Sequence, residues 1–67
     1  MKPAKPPREL ARGEGVSFWL IGTEVYRAPT GAAFDTFGIP QGVRWECEFS
    51  LWNRFRALFD FAKEVTP

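Results

Sequence analysis

Two β-rich runs dominate the middle of the chain. They are Val16-Ser17-Phe18-Trp19-Leu20-Ile21 and Glu24-Val25-Tyr26-Arg27, separated by Gly22-Thr23. Glycine at the first central position is the signature of a two-residue type II′ turn, so the runs predict a β-hairpin. That turn sets Leu20 opposite Val25, Trp19 opposite Tyr26 and Phe18 opposite Arg27, and Pro29 ends the second strand. Val43 to Phe49 then alternates without a break. Val43, Trp45, Cys47 and Phe49 share one side and Arg44, Glu46 and Glu48 the other, the pattern of a half-buried strand. Ser50 is placed to cap a helix from Leu51 to about Glu64, whose stripe is Leu51, Phe55, Leu58, Ala62 and Val65. Arg56 and Asp60 stand four apart on its outer side.

The segment Thr30 to Gly42 fits two descriptions. Thr30 can cap a short helix over Ala32–Phe37, with Gly38 and Pro40 as its stop. The same residues also suit a loop that tucks Phe34, Phe37 and Ile39 against the core. The predicted fold is therefore α+β: a small antiparallel three-stranded sheet packed against a C-terminal helix, in the order β-β-(short α or loop)-β-α. A 13-residue link would also allow the third strand to run parallel to the second.

Residues 1–15 differ from the rest. Met1 and Leu10 are their only strong apolar residues, and they hold three of the six prolines. They are expected to form a flexible or clasping arm, leaving 16–67 as a single small domain. Pro7 to Arg12 also has the makings of one helical turn. Pro3-Ala4-Lys5-Pro6-Pro7-Arg8 fits the short PxxPxR pattern that aromatic grooves read as polyproline II.

Composition narrows the chemistry. The 67 residues carry 9 Lys+Arg against 8 Asp+Glu, one Cys and no His. No His-based triad or imidazole ligand can be built, and neither a disulfide nor a Cys-rich zinc site can staple the fold. The near-zero charge argues against a general nucleic-acid binder. No run approaches the roughly 18 apolar residues of a membrane span, and the basic N-terminus lacks the apolar segment of a secretory signal. One thiol without targeting signals suits a reducing, cytoplasmic setting, and Met1 reads as the natural start. Cys47, between Trp45 and Phe49 on the apolar side, reads as a buried structural thiol with no base to activate it. Glu46 and Glu48, about 7 Å apart by strand rise, read as a solvated face or as partners for Arg44. No phosphate-loop, dinucleotide or metal motif is present, so neither cofactor nor small-molecule substrate is expected and the chain reads as non-enzymatic.

What remains is a surplus of aromatic residues. Three Trp, one Tyr and seven Phe make eleven, all from Val16 onward. Trp52 and Phe59 flank the helix stripe on one side and Phe61 on the other, widening its apolar arc to about 180° where about 100° is usual. The hairpin is apolar on both faces, with Trp19, Ile21 and Tyr26 opposite the face that the helix covers. Trp19 and Tyr26 suit a cross-strand pair covered by the arm or by the 30–42 segment. They equally suit a protein-binding or self-association patch, with Arg44 on the same face. The expected function is a small protein-binding module: an accessory, inhibitory or homodimeric subunit of the kind common in phage and mobile elements. Its candidate contacts are Trp19, Tyr26, Arg27, Arg44, Trp52, Phe59 and Phe61. The alternative is a nucleic-acid accessory protein that stacks bases on Trp19 and Tyr26 beside Arg27 and Arg44, although Glu24, Glu46 and Glu48 close by would repel phosphate.

Overall fold

Hydrogen bonding along the Val16–Ile21 run organises the whole molecule, because both of its edges are paired. The computed structural model describes residues 5–66. In chain order they form β1 (Arg8–Arg12), β2 (Val16–Ile21), β3 (Glu24–Pro29), β4 (Arg44–Glu48), α1 (Phe49–Phe55), a 3-10 turn (Arg56–Phe59) and β5 (Lys63–Glu64). The five strands make one antiparallel sheet in the order β4-β3-β2-β1-β5. One helix packs on it, so the fold is α+β.

The hairpin has the register expected from its turn: Leu20 faces Val25, Trp19 faces Tyr26 and Phe18 faces Arg27. Gly22 takes φ +66° while Thr23 stays at negative φ, as a type II′ turn requires. Pro29 is the last residue of β3, and β4 lies antiparallel to it.

Four expectations are corrected. The sheet has five strands rather than three, because Arg8–Arg12 and Lys63–Glu64 pair with each other and β1 pairs with β2. Arg8–Arg12 is thus strand rather than a helical turn. Of the proline motif, Pro3 and Ala4 lie outside the described residues, and Arg8 opens β1. The C-terminal helix stops at Phe55 and tightens into the 3-10 turn instead of running to Glu64. The Arg56 guanidinium donates to the carbonyls of Phe59 and Ala62, and this turns the chain back toward β1. Ser50 is not the cap: Glu48 holds that position, and the Ser50 hydroxyl reaches back to its carboxylate at 3.5 Å.

Residues 30–42 settle as a loop. The Asp35 carboxylate accepts the backbone N–H groups of Phe37 (2.8 Å) and Ile39 (2.9 Å), an arrangement that competes with helix. Phe34 bridges Pro40, so the loop forms a small hairpin of its own.

The core sits on one face of the sheet. Leu10, Ala11, Phe18, Val25, Cys47, Trp52 and Ala62 are buried together, with Val16, Leu20, Phe55 and Phe59 packed around them. Phe18 is its centre, with ring centroids 5.3 Å from Trp52 and 4.6 Å from Phe59. Burying a side chain of this size contributes about 1.5–3 kcal/mol, and this cluster takes the role that a disulfide or metal plays in other small domains.

Candidate functional site

Two β-bulges decide which side chains meet. In β1 the register steps between Glu9 and Ala11, so Leu10 is the extra residue. Leu10 and Ala11 are therefore both buried although adjacent, and Glu9 and Arg12 come to the same face, where Arg12 Nε donates to Glu9 Oε2 at 3.0 Å. That bond holds the Glu9 carboxyl below its ordinary value, against the opposing effect of burial. In β4 the register steps between Val25 and Tyr26, with Cys47 opposite the first and Trp45 opposite the second. Glu46 is the extra residue, and it reverses the facing of everything before it in the strand.

The consequence for the expected sites is large. Trp45 does not share the core face with Cys47. It stands beside Tyr26 on the opposite face, 58% exposed, with its indole N–H donating to Glu24 at 3.2 Å. Arg44 moves the other way. It lies opposite Arg27 on the side that carries α1, and not with Trp19 and Tyr26. Glu48 faces Glu24 across β3 and β4, so it is on the opposite side from Arg44 and does not pair with it.

The candidate contacts thus fall into three groups. Trp52 is buried in the core against Phe18 and is closed to a partner, and Phe59 is half-buried in the same cluster. Trp19 and Tyr26 are half-buried on the loop-covered face, where the Phe34 ring meets Trp19 edge-on at 5.5 Å. Arg27, Arg44 and Phe61 come together at the far end of the helix-bearing face.

There they border an open groove of about 460 Å³. Val16, Phe18 and Pro29 line the sheet side, Leu58 and Phe61 the 3-10 side, and Arg27 and Arg44 also line it. Leu58, from the expected stripe, is 70% exposed and Phe61, expected beside it, 55%, because α1 ends at Phe55. Phe61 is held against the β1–β2 turn: a Cβ at Gly13 would stand 2.5 Å from its ring. The exposure of Leu58 and of Trp45 departs from the expected helix stripe and from the expected core face of β4. The over-wide helix arc hinted at the first, while the unbroken alternation of β4 concealed the second.

The chemistry of the remaining groups is limited. Burial, together with the charges of Glu46, Glu24 and Glu48, pushes the Cys47 thiol up, away from thiolate. Among the described residues no three Cys, Asp or Glu side chains are grouped to hold a metal ion, and no helix is long and apolar enough to cross a membrane. Comparison of the chain with family models, curated proteins and solved structures gives no match.

Proposed function

We propose that this chain is a small non-enzymatic protein-binding module, an accessory, inhibitory or self-associating subunit acting through exposed aromatic and apolar side chains in a cytoplasmic setting. The observation that carries this reading is the set of large apolar residues left outside the core. Phe34, Phe37, Trp45, Leu58 and Phe61 are all more than half exposed. Leu58 and Phe61 lie together along one groove, clustered exposed apolar surface is characteristic of docking sites, and Trp, Phe and Arg are suited to interface anchors. The nucleic-acid alternative needs Trp19 and Tyr26 beside Arg27 and Arg44, but strand alternation puts Arg27 on the face of Phe18 and the β4 bulge brings Arg44 to that same face, away from the two aromatic rings.

Affinity capture of the tagged chain from its own host, followed by sedimentation of the purified complex, tests the reading. The expected result is a protein partner or a second copy in simple stoichiometry, lost when Leu58→Glu and Phe61→Ser are introduced together into a chain that still folds. A monomer that captures only nucleic acid, or a partner retained by the double variant and by Trp45→Ala alike, overturns it.

A further inference from the structure

We propose that the groove between the 3-10 turn and the Arg27–Arg44 end of the sheet docks a short extended segment of a partner protein that carries carboxylates beside aliphatic side chains. This rests on the protein-binding reading and names the chemistry of its partner.

One pairing in the sheet is not favoured by folding alone. Arg27 and Arg44 sit directly opposite each other on adjacent antiparallel strands, on the same face and both exposed. Like charges in that position destabilise a sheet. Neither has a carboxylate within ion-pair reach among the described residues, where the only such pair joins Arg12 and Glu9. The chain has acidic residues nearby, but Glu48 stands against Glu24 on the other face, and the β4 bulge keeps Arg44 from joining them there. The same bulge brings Arg44 to the groove, and bulges often re-aim a side chain at a functional site.

Beside the two guanidinium groups the walls are apolar, and Leu58 leaves one of them largely uncovered. The groove's volume, about 460 Å³, falls within the range of about 300–1,000 Å³ typical of ligand clefts. Planar guanidinium forks match carboxylates in bidentate pairs, and such pairs strengthen where water is excluded. An acidic segment with flanking aliphatic side chains therefore satisfies both halves of the site. A nucleic-acid strand fits less well. Two arginines neutralise few phosphates, the net charge is only +1, and Phe61 is the one largely exposed ring in the groove's lining.

The test is fluorescence anisotropy of the full chain with a fluorescein-labelled peptide of about eight residues alternating glutamate and leucine. Its glutamine-for-glutamate version and a labelled oligothymidylate serve as comparisons. The glutamate peptide is expected to bind at least about tenfold more tightly than the glutamine version, and less tightly as salt is raised. Arg44→Glu and Arg27→Glu are each expected to lose at least about tenfold in affinity with an unchanged or higher melting temperature, and Leu58→Ala several-fold. The proposal is overturned if Arg44→Glu binds as well as the native chain. It also falls if the glutamine peptide binds equally, if no anisotropy change occurs up to millimolar peptide, or if oligothymidylate binds and the peptide does not displace it. A groove filled by a second copy, seen as a sedimenting dimer that excludes the peptide, overturns it too. If the peptide fails while a captured partner still depends on Leu58 and Phe61, the acidic occupant is wrong and the protein-binding reading stands. If both fail, both readings fall.

Discussion

The two faces of the sheet are both apolar, yet they are finished in different ways. On one, α1 and the 3-10 turn close Phe18, Val25, Cys47 and Trp52 into a core, and the unfinished end of that closure is the groove beside Arg27 and Arg44. On the other, a loop held by Asp35 lays Phe34 against Trp19 and leaves Trp45 and Tyr26 partly open. The helix side covers with the buried Trp52 ring and the half-buried Phe55 and Phe59, whereas the loop side sets an exposed Phe34 edge-on against Trp19. Apolar character alone therefore does not mark the working surface. The two faces also differ in charge. Two arginines without carboxylate partners among the described residues stand on the helix side, while Glu24 and Glu48 face each other on the loop side, and the Glu9–Arg12 pair lies there as well.

Neighbouring substitutions break this comparison most sharply. Phe18→Ala removes the centre of the core and is expected to cost about 3–5 kcal/mol, enough to unfold a domain of this size. Trp19→Ala, one residue along and on the loop face, removes a half-buried aromatic contact and is expected to cost about 1–2 kcal/mol. Urea midpoints of the two variants measure both, and equal losses would show that the loop face is as much a core as the helix face. Cys47 reports on the helix side without mutation. With its thiol pushed up and buried, it is expected to react with a thiol reagent at neutral pH only as fast as the chain unfolds. Rapid labelling of the folded protein would mean that this side opens locally.

Smaller effects sharpen the charge contrast. Arg44→Glu places opposite charges across β3 and β4 and is expected to raise stability by about 0.2–1 kcal/mol, the reverse of its effect on binding. The least effect belongs to Glu9. Its folded-state carboxyl is held below the ordinary value, so the stability it contributes is complete above that value and fades as the pH falls through the lower folded one. Glu9→Gln is expected to remove that acid-side portion of the stability curve and to leave the neutral and alkaline limbs parallel to those of the native chain. An unchanged acid limb would mean that the exposed pair is screened to no effect.

How far the sequence reaches follows the same division. The hairpin register was legible because a local feature, Gly22-Thr23, sets it, and the strand β4 was legible from its alternation. The C-terminal helix was legible as to its presence but not its length: its stripe continues on paper through Val65, while the Arg56 side chain gathers two carbonyls and ends it. β1 was hidden because its extra residue puts Leu10 and Ala11 inward together, so Arg8–Arg12 shows no alternation, and its stability comes from partners on both sides. The site was hidden by the opposite effect. β4 alternates perfectly in sequence, yet the inserted Glu46 exchanges the faces of Arg44 and Trp45. A bulge of this kind is fixed by pairing with β3 and leaves no composition signal. The surplus of aromatic residues was legible as a surplus, but its location was not.

The most direct test of the account is amide and indole NMR of the full chain titrated with the glutamate–leucine peptide. The account predicts shifts at Val16, Arg27, Arg44, Leu58 and Phe61, with the indole N–H signals of Trp19 and Trp45 unmoved on the far face. Shifts concentrated at Trp19, Tyr26 and Trp45, with the groove signals still, would contradict it.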